Sequence, residues 1–312
     1  TEESPIKVLF VPSVDVDFLI AGGDLMADAL NEATGLHFEV SVPTSYAATI
    51  EAMCASPDNT IGFIPGMGYA LANQLCGVQP GLASVRRGWN VYFTQFVVAR
   101  DSEYQSIADL EGATWAYPDA GSTSGFLYPS AIFADAGVTL GETVEAGGHP
   151  QAVKAVYNGE ADVATSYFSP PIWPEGAWAV GDAPDVPEEV VEECAVNEDD
   201  ELWCGGYRVV DARSAIREEA PDVVQKVRIL TLSAAIPNDT MSFSPDFPED
   251  VKQSIIDAMV AFVDPENPAC AESICNENSY NWTSVAPIFD ESFDSMRLLM
   301  EAQGITLENL GE

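Results

Sequence analysis

Positive charge is what this sequence has least of. Twelve lysines and arginines face fifty aspartates and glutamates, for a formal net charge of -38 at pH 7. A surface of that sign repels polyanions, which excludes nucleic acid and anionic lipid as partners. Histidine is scarcer still. The chain has two, His37 and His149, and neither is spaced with a cysteine pair, so a zinc site is a poor reading and no metal or cofactor is expected. No apolar run reaches the roughly 18 residues of a membrane-spanning helix. No GxSxG nucleophile elbow occurs, and no acid stands in sequence to orient a catalytic histidine. No secretory leader is visible either, which reads as a processed or trimmed chain.

What is there is globular: 312 residues, 47% hydrophobic and 20% charged, enough for two lobes with substantial cores. The cysteines are Cys54, Cys76, Cys194, Cys204, Cys270 and Cys275. An even number without CxxC spacing favours disulfides in an oxidising, extracytoplasmic compartment. Their order in the chain suggests local pairs, Cys54–Cys76, Cys194–Cys204 and Cys270–Cys275.

After a polar lead-in over Thr1–Pro5, which reads as the end of a tether, strands alternate with helices. Ile6–Val11 is a strand, and Asp15–Thr34 is a helix stopped by Gly35. Leu36–Val42, the helix Ser45–Ala55, the strand Ile61–Ile64 and the helix Tyr69–Leu75 follow. That alternation predicts an α/β fold with a mostly parallel sheet and ligands at the carboxyl ends of the strands. Val91–Ala99 is a long apolar strand without its own helix, a candidate crossing between lobes. A second crossing candidate is Val227–Leu230, leading into Ile236-Pro237-Asn238. Helices are expected near Glu249–Val263 and Phe289–Gln303. Pro170–Gln225 reads as an irregular, acid-rich insertion with a solvated Glu188–Glu193 face, and its Trp173, Trp178 and Trp203 read as local core.

One stretch stands out chemically. Pro118-Asp119-Ala120-Gly121-Ser122-Thr123-Ser124-Gly125-Phe126 joins the apolar run Ala113–Tyr117 to a helical pattern carrying Phe126, Pro129 and Phe133. Three consecutive hydroxyl residues therefore stand at a helix mouth, where unpaired backbone N–H groups and the helix dipole favour an anion. The competing reading is that Ser122 or Ser124 simply caps the helix.

Several spaced segments resemble the phosphate-, phosphite- and phosphonate-binding proteins of ABC importers. They include Val11-Pro12-Ser13, Thr44-Ser45-Tyr46-Ala47-Ala48, the Ser122–Pro129 stretch and Gly148-His149 with Gly159-Glu160-Ala161-Asp162-Val163. Ile236-Pro237-Asn238 also fits. The resemblance covers most of the chain except Pro170–Gln225 and the Cys270–Cys275 region. It implies a two-lobed periplasmic-binding-protein fold of type II, its lobes joined by two hinge crossings and closing over the ligand. Lobe 1 is expected over 1–92 plus 237–312, and lobe 2 over 93–236 with the insertion at about 170–225. The implied protein is a monomer in the periplasm or at the cell surface, with a lipid anchor left open. It delivers a small ligand to a membrane permease and catalyses nothing.

Carried over by position, Tyr46 and Tyr92 reach the ligand, Ser122, Thr123 and Ser124 hold oxyanion oxygens, and His149 adds a donor. Neutral hydroxyls and a neutral imidazole suit that work, since each can donate to oxygen without a fixed charge. One departure bears on specificity. Aminoalkylphosphonate binders of the family place a carboxylate for the ligand's ammonium just after the Asp162–Ala164 strand, where this chain has Tyr167 and Phe168. Trp89, Tyr92, Tyr167 and Phe168 offer an aromatic wall instead. The ligands left open are an inorganic oxyanion, a simple phosphonate, or a non-phosphorus ligand such as a cation in an aromatic cage. A hydrolase is the competing class.

Overall fold

Two side-chain caps and one left-handed glycine set the first helices. The computed structural model describes residues 3–276 and 280–307, so Thr1 and Glu2 of the expected lead-in lie outside the described residues. Asp15 accepts from the Phe18 N–H to start helix α1 (Val16–Thr34), and Gly35, at φ 69°, ends it. Ser45 accepts from Ala48 to start α2 (Tyr46–Ala55). These caps each satisfy a donor that the first helical turn leaves open.

Contacts divide the chain into two units. The first holds the residues up to Val91, Gly121–Thr123 and everything from Pro237 onward; the second holds Tyr92–Ala120 and Ser124–Ile236. In the first unit, β1 (Ile6–Phe10), β2 (Phe38–Ser41) and β3 (Thr60–Ile64) pair in parallel, with β1 between the other two. After helix α3 (Gly66–Cys76), β4 (Gln79–Val85) joins the same sheet. Thr240–Phe243 inserts between β3 and β4, antiparallel to both, and Ser284–Pro287 edges β4, also antiparallel. The mostly parallel sheet expected from the alternation is therefore mixed, because the returning carboxyl-terminal chain supplies strands of the opposite direction.

Leu19, Met26 and Leu30 of α1 bury against Val8 and Phe10 in one core, where Phe10 stacks on Phe63 with ring centroids 4.6 Å apart. Gly23 lets α1 approach the sheet. A Cβ there would stand 2.7 Å from Val40 and 2.9 Å from Phe10.

In the second unit, β5 (Val91–Ala99) lies antiparallel between Val227–Leu232 and β8 (Val163–Phe168). Beyond β8 come β6 (Trp115–Tyr117) and β7 (Thr143–Glu145), both parallel. Helices α4 (Tyr128–Asp135) and α5 (His149–Tyr157) belong to this unit. Its core gathers Phe96, Val98, Trp115, Phe133 and Val163.

The insertion is not irregular, contrary to expectation. It forms a hairpin of Ile172–Trp173 with Gly176–Ala177, and three antiparallel strands over Cys194–Val196, Leu202–Cys204 and Tyr207–Arg208. Arg213, with a side chain 1% exposed, ties the insertion together by pairing with Asp211 at 3.0 Å and Asp185 at 2.8 Å, and donates outside it to the Val227 carbonyl at 3.2 Å. Gln95 of β5 donates to the same Asp211. Trp178 is buried against Phe93 and Phe168, whereas Trp173 and Trp203 are half-buried. The acid run is a 3-10 turn whose four glutamates are exposed, as expected. All three disulfides form with the expected pairing. The expected carboxyl-terminal helix over Phe289–Gln303 begins instead with a 3-10 turn and becomes α-helical at Asp294.

Candidate functional site

Pro129 changes the geometry of the hydroxyl stretch. In an α-helix the Gly125 carbonyl would accept from the N–H four residues on, and proline has none. The segment Thr123–Leu127 is accordingly a π-helical turn, and α4 starts after it, at Tyr128. The single helix anticipated behind Ser124 is thus two pieces. The N-terminus of α4 carries no side-chain cap bond, so neither Ser122 nor Ser124 caps that helix.

Ser122, Thr123 and Ser124 are all buried, at 2%, 0% and 2% exposure. Thr123 Oγ1 accepts from the Met67 N–H at 3.1 Å. Met67 lies in the first turn of α3, whose N-cap Pro65 offers no side-chain bond, so Thr123 takes up one of that helix's open donors. With a lone pair engaged there, the Thr123 hydroxyl keeps its proton to give.

Two buried side chains underlie the turn. Trp115 Nε1 donates to Thr165 Oγ1 at 2.8 Å, and the Thr165 hydroxyl donates to the Gly125 carbonyl. The indole also stacks on Phe126, with centroids 5.2 Å apart and ring planes within 1°.

His149 opens α5 behind Gly148, with Pro150 in the first turn. It is buried, and desolvation pushes its pKa down to about 3, so the ring is neutral near pH 7 and donates from one nitrogen. Its ring meets Tyr167 of β8 edge-on at 5.1 Å. Tyr92, on β5, is buried, and Tyr167 is half-buried. In the first unit, Tyr46 is buried as the first residue of α2. Trp89 is half-buried and closes a tight turn with Arg86, in which Arg87 and Gly88 have φ of 50° and 86°. Of the expected residues, Tyr46, Trp89, Ser122 and Thr123 belong to the first unit and Tyr92, Ser124, His149 and Tyr167 to the second.

Sequence reasoning missed Met67, Trp115 and Thr165. Met67 acts through its backbone, which no residue type announces. The signal for Thr165 was Pro129, which has no N–H to give the Gly125 carbonyl four residues before it. Among the described residues no group of three or more His, Cys, Asp or Glu is placed to hold a metal ion.

A model of the ABC-transporter phosphonate periplasmic substrate-binding proteins matches residues 8–292. The phosphate-import protein PhnD of Mycolicibacterium smegmatis is 26% identical over 176 residues, covering 52% of this chain and 54% of that protein. The alignment thus spans about half the length of that curated relative. PhnD1 of Prochlorococcus marinus, solved in complex with methylphosphonate, superposes with a TM-score of 0.70 at 13% identity, covering 96% of this chain and 98% of that one. A binding-protein component of a Pseudomonas aeruginosa ABC phosphonate transporter also gives 0.70, at 16% identity, covering 96% and 87%. The aliphatic sulphonate binding protein SsuA of Escherichia coli gives 0.55 at 12% identity, covering 97% and 94%. At these identities the structural likeness establishes the fold, that of type II periplasmic binding proteins.

Proposed function

This chain belongs to the family of periplasmic substrate-binding proteins of phosphonate ABC transporters, and from that premise we propose that it captures a phosphorus oxyanion outside the cytoplasm and hands it to a membrane permease. The ligand is phosphate, phosphite or a simple phosphonate. The observation that carries this reading is the run of three buried hydroxyl residues, Ser122, Thr123 and Ser124, which bring donors and no negative charge to an otherwise strongly acidic molecule. Short-range donors of this kind work against a distant field that salt screens beyond about 8–10 Å.

In this reading Ser122, Thr123 and Ser124 donate to ligand oxygens and neutral His149 adds a donor. Tyr46, Trp89, Tyr92 and Tyr167 form the rest of the pocket wall. Tyr167, standing where aminoalkylphosphonate binders have a carboxylate, disfavours an ammonium-bearing ligand, since a buried unpaired cation is costly. The expected lobes, 1–92 plus 237–312 and 93–236, are part of the proposal; small-angle scattering should show a smaller radius of gyration with saturating ligand. The protein acts as a monomer and has no catalytic role. A thermal-shift panel tests the ligand class: a tight ligand raises apparent stability by roughly 3–4 kcal/mol at 100–1,000 times its dissociation constant. Steady turnover of generic phosphate esters would replace this reading with a hydrolase.

A further inference from the structure

We propose that Trp115 and Thr165, which reach no ligand themselves, are positioning residues that hold the hydroxyl stretch in its binding geometry. The inference rests on the reading of Ser122–Ser124 as an oxyanion cradle. Pro129 has no N–H to offer the Gly125 carbonyl four residues before it. The Thr165 hydroxyl donates to that carbonyl. A threonine hydroxyl has one proton, and the direction in which it is spent depends on what the oxygen accepts. Here the oxygen accepts from Trp115 Nε1 at 2.8 Å, which directs the proton to Gly125.

The chain of donors thus runs one way, from indole to hydroxyl to backbone carbonyl, and each bond polarises the next. All three residues are buried, with Thr165 at 0% and Trp115 at 4% exposure, so water does not substitute for a lost member. Fixing the Gly125 carbonyl fixes the plane of the Gly125–Phe126 peptide and so restrains the turn that carries Ser124, one residue ahead. Phe126 stacked parallel on the Trp115 indole holds the other end of that peptide. Trp115 therefore serves the turn twice, by its N–H and by its face.

The test compares the 312-residue chain with its Thr165→Val, Thr165→Ser and Trp115→Phe variants, titrated calorimetrically with methylphosphonate and with inorganic phosphate. Thermal midpoints and backbone amide spectra of the ligand-free forms are recorded alongside. Thr165→Val keeps the side-chain shape and should weaken binding about tenfold or more, with the Gly125 and Phe126 amide resonances displaced. Thr165→Ser should restore both to within about threefold of the parent, which general destabilisation would not do. Trp115→Phe, which keeps the stack and loses the N–H, should fall between them. If Thr165→Val fails to fold, the Ser and Phe variants decide by the same ordering. A folded Thr165→Val, or failing it Trp115→Phe, that binds like the parent overturns the positioning role and leaves the cradle standing. A parent protein that binds neither probe overturns the oxyanion reading, and the positioning role with it.

Discussion

The Met67 N–H, in the first turn of α3, donates to the Thr123 hydroxyl oxygen at 3.1 Å. This bond closes an open helix donor, and in the proposed reading the Thr123 proton is left for a ligand oxygen. A valine there has neither the acceptor nor the proton. Thr123→Val should weaken oxyanion binding by about 1–3 kcal/mol and lower folding stability by about 1 kcal/mol. Thr123→Ser should keep most of both. Titration calorimetry and denaturant melts read the two effects separately, and a valine variant that binds normally would remove Thr123 from the site.

His149 links stability to pH. Its pKa is about 3 in the fold because burial disfavours the imidazolium, against an ordinary value of 6.5. Between those values the unfolded chain binds the extra proton, so stability is greatest above pH 6.5 and declines as pH falls. The slope from this group approaches about 1.4 kcal/mol per pH unit below its unfolded pKa. His149→Gln should flatten the pH 6.5 to 5 portion of the profile, measured by urea melts. An unchanged profile would mean the histidine titrates alike in the folded and unfolded chains, contrary to its burial.

The first unit's helices and caps were legible because their signals are local. Asp15, Ser45 and Gly35 each act within four residues of where they stand; Gly35 stops α1 as the sequence suggested, and Asp15 and Ser45, read there as the first helical residues, are the caps just before their helices. The strand Gln79–Val85 was not, since Pro80 and Gly81 break any strand pattern. The insertion's two- and three-residue strands are too short to show a period. Arg213 is buried against one local acid, Asp211, and against Asp185 and the Val227 carbonyl, brought from other segments, which the sequence could not pair with it. In the candidate site the hydroxyl run stood out by density alone. Nothing local connects Gly125 to Thr165, forty residues away, so the support beneath the turn became visible only in three dimensions.

That buried arginine carries its own expectation. Arg213→Leu leaves Asp211, 3% exposed, without its cation, and should cost about 3–5 kcal/mol because an uncompensated charge stays buried. The double change with Asp211→Asn should recover part of the loss. Chemical denaturation of the single and double variants measures this coupling. Strict additivity would mean that the pair does not hold the insertion together.

The disulfides should all be present in the secreted form. Thiol labelling of the denatured, unreduced protein should find no free cysteine. Removing the Cys54–Cys76 bridge, which spans 22 residues, should cost about 3 kcal/mol through the added freedom of the unfolded chain. Six reactive thiols would contradict an oxidising compartment.

The most direct measurement is calorimetric titration of the purified protein with methylphosphonate, phosphite and phosphate, beside sulfate and tetramethylammonium. Saturable one-to-one binding of at least one phosphorus oxyanion is expected, weakened by Thr123→Val and by His149→Gln. Tight binding of tetramethylammonium, abolished by Tyr167→Ala and untouched by Thr123→Val, would contradict it and leave only the fold in common with the phosphonate binders.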